Sequence, residues 1–186
     1  SIFPALTKFS LPILLSLILQ ALYGAVDLLM VSQFASSADI SSVSTGSQTM
    51  LIVNGIVTGL SMGITILLGR SVGQQDYHKS ANLIGTSIWI FSVMGIFMTV
   101  LLLASAAPLA SLLHAPPALI CGFGTLFVVS FNVLNGIFCG LGDSQTPLLF
   151  VGVACITNII GDYLLIDLLH MGSTGAAIAT ILAQAV

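Results

Sequence analysis

Leu11-Pro-Ile-Leu-Leu-Ser-Leu-Ile-Leu-Gln20-Ala-Leu-Tyr23-Gly-Ala-Val-Asp27-Leu-Leu-Met-Val31 decides how the rest of the chain is read. A helix needs about 20 consecutive apolar residues to cross a bilayer core, and this run has that length with a single ionisable side chain, Asp27. Outward from it the character does not change. The chain has 186 residues, 57% hydrophobic and 5% charged, with a mean hydropathy of +1.16. A soluble domain carries about 25% charged residues, and three Lys/Arg with six Asp/Glu cannot furnish a solvated shell. A soluble globular domain is excluded. The fold class is all-α, a polytopic membrane helix bundle of about six transmembrane helices.

The net charge is -3 and no Lys/Arg cluster exists, so the electrostatic footprint of a nucleic-acid binder is missing and nucleic acid is not a partner. Cys121, Cys139 and Cys155 lie in separate apolar runs without metal-ligand spacing, and they read as small packing residues. One lysine, Lys8, precedes the first run, and no small-residue cleavage pattern follows. The first segment is expected to stay as a helix rather than be removed.

Cutting the apolar runs at Gly, Pro, Ser and Asp punctuation predicts helices at about 9–34, 47–70, 80–113, 119–141, 147–169 and 174–186. The last is shorter than a bilayer, so the sixth helix is expected to be cut short and the chain to be part of a larger protein. The links, 35–42, 72–79, 114–118, 142–147 and 168–175, are short, which makes successive helices antiparallel. Lys8, Arg70 and Lys79 then fall on one side. By the positive-inside rule that side is the cytoplasm, which places the N-terminus inside an inner-membrane protein.

Ionisable side chains at membrane depth usually face a cavity or a partner. Asp27 and Asp162 qualify. Each lies about seven residues from the outer end of its helix, roughly 10 Å deep at 1.5 Å per residue, and Thr180 of the sixth helix reaches about 9 Å. Gln20, Tyr23 and Asp27 share one helix face, and Asn158 and Asp162 are i, i+4 neighbours. Oxygens of these types at one depth suit either a hard monovalent cation or proton exchange at the carboxylates. A plainer reading has the two acids bonded to backbone or water, holding helices together. Asn132 and Asn135 extend the polar lining or act as helix glue; Asn54 and Gln48 are weaker candidates of the same kind. Pro12 removes a backbone donor and permits a bend. Asp39, Asp76, Asp167 and the three histidines, His78, His114 and His170, read as solvated ends.

These ordered marks resemble the multidrug and toxic compound extrusion (MATE) transporters, particularly the DinF-like branch. They are Pro12; the Gln20 to Asp27 stretch ending Val26-Asp27-Leu28-Leu29-Met30-Val31; and Gly140-Leu141-Gly142-Asp143-Ser144-Gln145-Thr146-Pro147. Asn158-Ile159-Ile160-Gly161-Asp162-Tyr163 and Met171-Gly172-Ser173-Thr174-Gly175 through Thr180 complete the set. The resemblance implies a transporter of about twelve helices in two six-helix lobes, this chain matching the N-terminal lobe. It implies exchange of a cation, H+ or Na+, for a small organic compound, with no further cofactor and with membrane lipid and a C-terminal lobe as partners. The family's cation site maps onto Asp27, Asn158, Asp162 and Thr180. Gln20, Tyr23, Asn132 and Asn135 fall at the N-lobe cavity, and Pro12 matches a proline associated with bending. Two departures stand out: Cys139 where the family often has arginine, and a short link at Pro116-Pro117.

Two other classes compete. Gly140-Leu141-Gly142-Asp143 has the letters of an intramembrane aspartyl protease motif, but Asp143 reads as an inner-loop residue, on the side opposite Asp27, and no Pro-Ala-Leu segment follows. A non-transporting membrane scaffold is the other. It predicts neither a bound cation nor substrate-dependent flux.

Overall fold

Inside a bilayer no water is available to backbone N–H and C=O groups, so a spanning apolar chain must satisfy them within its own helices. In the computed structural model the described residues, 2–34, 37–113 and 117–186, accordingly form six α-helices and one π-helical segment, with no strand among them. Side-chain surroundings are described for all of these except 2, 34, 37–47, 49, 105–113, 117–123 and 173. The helices are α1 (Ile2–Phe34), α2 (Ser37–Gly73), α3 (Tyr77–Leu113), α4 (Pro117–Gly140), α5 (Gln145–Asp162) and α6 (Gly172–Ala185). The π segment, Tyr163–Leu168, continues α5. Parts of the expected links, Ala35-Ser36 and His114-Ala115-Pro116, lie outside the described residues.

Four of the described stretches are long and apolar enough to cross a membrane: Phe3–Gln33, Met50–Gly73, Tyr77–Ala104 and Gln145–Leu168. The described helices begin earlier than apolarity predicts, most of all α1 at Ile2 rather than 9 and α2 at Ser37 rather than 47. Apolarity marks where the bilayer core ends, whereas Ser and Thr cost a helix only about 0.5 kcal/mol each. A helix therefore runs on past its apolar stretch.

Between helices in lipid the hydrophobic effect is weak, so close backbone approach and hydrogen bonds decide the packing. α4 packs against α2 and α3, α5 against α1 and α6, and α6 also meets α4. The α2, α3 and α4 group buries Val53, Val57, Leu68, Phe91, Val129, Val133 and Ile137. α2 and α4 run parallel, joined by bonds that advance together along both: the Thr58 hydroxyl donates to Asn132 Oδ1 at 2.9 Å, Ser61 to the Asn132 carbonyl at 2.6 Å, and Thr65 to the Gly136 carbonyl at 3.0 Å. The Asn132 amide N–H completes this lacing by donating to Asn54 Oδ1 at 3.0 Å. Glycine makes the approach feasible, since a Cβ at Gly136 would stand 3.0 Å from the Ser61 carbonyl oxygen.

α5 and α6 are equally close and antiparallel: a Cβ on Gly161 would sit 2.9 Å from that of Ala179, and one on Gly175 3.0 Å from the Leu165 carbonyl oxygen. The π segment ends the helix pair with wider turns, the Leu169 N–H reaching back to the Leu164 carbonyl at 3.1 Å. Large apolar side chains remain outside, among them Trp89, Phe97 and Leu51.

Two links are held by acids that the sequence reads as loop or terminus residues. Asp76 Oδ1 accepts the Lys79 N–H at 3.0 Å at the start of α3. Asp143 accepts the Gln145 and Thr146 backbone N–H groups at 3.0 and 3.1 Å and the Thr146 hydroxyl at 2.6 Å, serving the free donors at the start of α5. Gly142, at φ +87°, makes the turn before it. The Gly-Leu-Gly-Asp letters thus belong to a turn and a helix cap.

Two predictions follow from this packing. Gly136→Val should cost about 1–3 kcal/mol by overpacking against Ser61, read as a lowered thermal midpoint of the purified protein in detergent. The Thr146 hydroxyl, with backbone N–H groups of Thr146 and Gln145, holds the Asp143 carboxyl below the usual carboxylate range. Its cap is therefore complete at neutral pH and lost as pH falls through the folded carboxyl's titration. Asp143→Ala should lower the neutral midpoint, with the gap to the parent closing in acid; a gap independent of pH counts against the cap.

Candidate functional site

The buried residues of α5, Pro147, Val151, Cys155, Asn158 and Asp162, recur every three or four positions. That is the helical period, so they form one stripe, and the stripe ends in an amide and a carboxylate, both 0% exposed. α1 lies along α5 and carries Tyr23, Asp27 and Val31 at i, i+4, i+8; α6 lies on its other side with Ala176, Thr180 and Ala183. Val31, Ile166 and Ala176 pack into a small apolar cluster at the end of this three-helix group where α1 finishes and α6 begins. The polar side chains lie one turn inward of it.

Asp27 and Asp162 come from different helices, α1 and α5, which pack against one another. The Asn158 amide N–H points at the Thr180 hydroxyl oxygen at 3.4 Å, and that hydroxyl donates to the Ala176 carbonyl at 3.0 Å. With its proton committed to its own helix, the Thr180 oxygen presents lone pairs to Asn158 and the space beside it. α5 and α6 touch through Gly161 and Ala179 immediately next to Asp162.

Among the described residues five buried side-chain oxygens have no hydrogen-bond partner, and four of them are here: Asp27 Oδ1, Asn158 Oδ1 and both oxygens of Asp162. The fifth is the Thr99 hydroxyl of α3. Each buried acceptor without a donor costs about 1–3 kcal/mol, more when charged. Native structures keep such groups rare, so a group of four in one place calls for a species that all of them attract. A proton or a hard monovalent cation is such a species; a soft metal or an anion is not.

The remaining candidate residues divide. Tyr23 is half-buried on α1, one turn inward of Asp27. Gln20 is half-buried one turn further in. Asn132 stands apart: its amide is spent on Asn54, Thr58 and the Val128 carbonyl within the α2 and α4 lacing. Asn135 accepts the Cys139 thiol at 3.7 Å on its own helix. Pro12 is buried inside α1, where the carbonyl four residues earlier, that of Lys8, lacks its usual donor. His78, His170 and Trp89 are exposed.

One feature escapes the sequence reading. The π segment directly after Asp162 has no sequence signal, because its wider turn answers to the packing of Gly175 under Leu165. Single π turns within α-helices are frequent at functional sites.

Known proteins are similar to this chain over nearly its whole length. A family model, MatE, matches residues 12–164. The "Probable multidrug resistance protein YpnP" of Bacillus subtilis is 29% identical over 97% of this chain and 43% of its own length. The "Multidrug export protein MepA" of Staphylococcus haemolyticus is 27% identical over 100% of this chain and again 43% of its own. A crystal structure of a MATE in the straight conformation superimposes with a TM-score of 0.91 at 26% identity, covering 97% of this chain and 42% of that one. The chain therefore spans about two fifths of the length of the proteins it matches. The family-model match takes in Pro12, Asp27, the capped turn at Asp143, Asn158 and Asp162, and the chain belongs to the MatE family, multi-pass membrane transporters rather than enzymes.

Proposed function

We propose that this chain is the N-terminal lobe of a cation-coupled secondary antiporter that exports amphipathic organic compounds across the inner membrane by alternating access. The observation that carries the reading is the group of four donorless oxygens supplied by Asp27, Asn158 and Asp162 between α1 and α5. Asn158, Asp162 and Thr180 form the α5 and α6 wall, and Asp27 closes it from α1. Of the residues that the resemblance assigns to the substrate cavity, Gln20 and Tyr23 share the Asp27 side of α1, whereas Asn132 is bonded into the α2 and α4 lacing and Asn135 to Cys139. The coupling ion, H+ or Na+, is a co-transported substrate that neutralises the acids; its arrival removes the cost of burying their charge. Whichever conformation offers the better cation site gains population when the ion binds.

α1 carries both Asp27 and Pro12. A change in the charge at Asp27 therefore acts on a helix already missing one internal bond, which makes α1 the element that rearranges. The organic substrate competes through charge: two acids in an apolar lobe favour an amphipathic cation, and the relatives named for multidrug export fit that class. Exposed apolar side chains such as Trp89 and Phe97 meet membrane lipid, a second six-helix lobe completes the path, and Lys8, Arg70 and Lys79 set the N-terminus in the cytoplasm.

In reconstituted full-length protein, Asp27→Asn and Asp162→Asn should each abolish gradient-driven efflux, at least 100-fold below the parent, while the thermal midpoint stays near that of the parent. Normal efflux in either variant would remove the mechanism and favour a scaffold. Imposing sodium and proton gradients separately identifies the ion. If it is sodium, Thr180→Ala should lose most of the stabilisation that added sodium confers; a proton-driven carrier shows pH dependence and no sodium effect in parent or variant.

A further inference from the structure

Resting on the reading above, we infer that Val31, Ile166 and Ala176 form an apolar seal that closes the cation site toward the outer rim, so that the coupling ion reaches the site only through the cavity and does not slip across without substrate. The three residues come from the three helices that build the site. Each stands one helical turn from a polar member on its own helix: Val31 from Asp27, Ile166 from Asp162 and Ala176 from Thr180. Four residues on along α1 and α5, and four back along α6, the antiparallel partner of α5, lead to the same end of the group. There the three side chains meet in one cluster, 1%, 1% and 2% exposed, with Met30 packed against it. An apolar layer therefore lies about 5 Å from the polar one, on the side where α1 finishes and α6 begins.

The two sides of the site differ in kind. Opposite the seal, one turn along α1 and α6, stand Tyr23 and Gln184, with Gln20 beyond; all three are half-buried and carry hydrogen-bonding groups that can hand an ion on. An ion moving toward the outer rim instead would have to shed its water between three aliphatic side chains, and apolar constrictions stop ions by staying dry. The α5 and α6 seam beside them is closed as well. A Cβ on Gly175 would stand 3.0 Å from the Leu165 carbonyl oxygen and one on Gly161 2.9 Å from that of Ala179, so the seam lacks room for a methyl group. Ile166 belongs to the π segment. In an unbroken α-helix it would drift about 40° from the line of Asp162, and the wider π turn reduces that drift. The seal matters because the oxygens without donors attract any cation that reaches them. With the rim side open, the ion would exchange with the outer solution in every conformation and the gradient would dissipate without moving substrate.

The test is ion flux in the full-length transporter reconstituted in vesicles, with a sodium or proton gradient imposed and no organic substrate. Ile166→Ala opens the layer at its largest member and should raise this substrate-independent flux by about 10–50-fold, the scale set by the carbons removed, while the substrate exported per ion falls. Ile166→Leu keeps the apolar bulk and should stay near the parent. Adding Asp162→Asn to Ile166→Ala should return the flux to the parent level, because the leak runs through the site rather than beside it. A merely structural Ile166 would lower the thermal midpoint and efflux together with no substrate-independent flux, and that result would overturn the inference, as would a leak that survives Asp162→Asn. Val31→Ser, read in the same way, is the second variant where Ile166→Ala does not fold. If Asp27→Asn and Asp162→Asn alone retain full efflux, the coupling site is misassigned; if they abolish it while neither Ile166→Ala nor Val31→Ser leaks, only the seal falls.

Discussion

A low-dielectric interior that supplies no water is the constraint on which the rest of this molecule depends. Every polar group placed there must find its partner within the protein or pay a desolvation penalty. Most do: the hydroxyls of Ser16, Ser87, Ser92 and Ser130 bond carbonyls three or four residues earlier, and Asn132 spends its amide across α2 and α4. Against that background the oxygens of Asp27, Asn158 and Asp162 stand out because they have no donor among the described residues. What distinguishes this site is the failure of a rule obeyed nearly everywhere around it.

The helices sort into two groups with different glue. α2 and α4 are sewn together by hydroxyl and amide bonds at successive turns and by glycines that admit close approach. α1 lies along α5, with Tyr23 and Asp27 half-buried one turn apart on it. α6 touches both groups, packing on α5 and on α4. The two sides differ in kind: hydrogen bonds worth about 1 kcal/mol each accumulate on the α2 and α4 side, whereas the α1 and α5 side buries carboxylate oxygens without donors among the described residues.

Much of this was legible before any fold was known. The depth of Asp27, Asp162 and Thr180, counted at 1.5 Å per residue from the helix ends, groups residues that the fold sets on three adjoining helices. The spacing of Asn158 and Asp162 assigns them one face, and the fold buries both completely. Asn132 shows where counting stops. Its spacing from Asn135 admits both a cavity lining and a helix tie, and only the position of α2 reveals the bonds to Asn54 and Thr58. Asp143 likewise reads as a loop acid until Gln145 and Thr146 are seen to donate to it. The early start of α2 at Ser37 was hidden because apolarity reports membrane depth and not helicity.

By itself the sequence determined that the chain is a multi-pass bundle of membrane helices, and it singled out Asp27 and Asp162 as acids within long apolar runs. These follow from composition, run length and period, all of which are local. The tertiary structure alone decided which helices adjoin, and that α4 packs against α2 and α3 while α5 packs against α1 and α6. It also decided the π turn after Asp162. Neighbours in a bundle are chosen by small-residue clearances and cross-helix hydrogen bonds, and these are properties of pairs of helices that no single segment records.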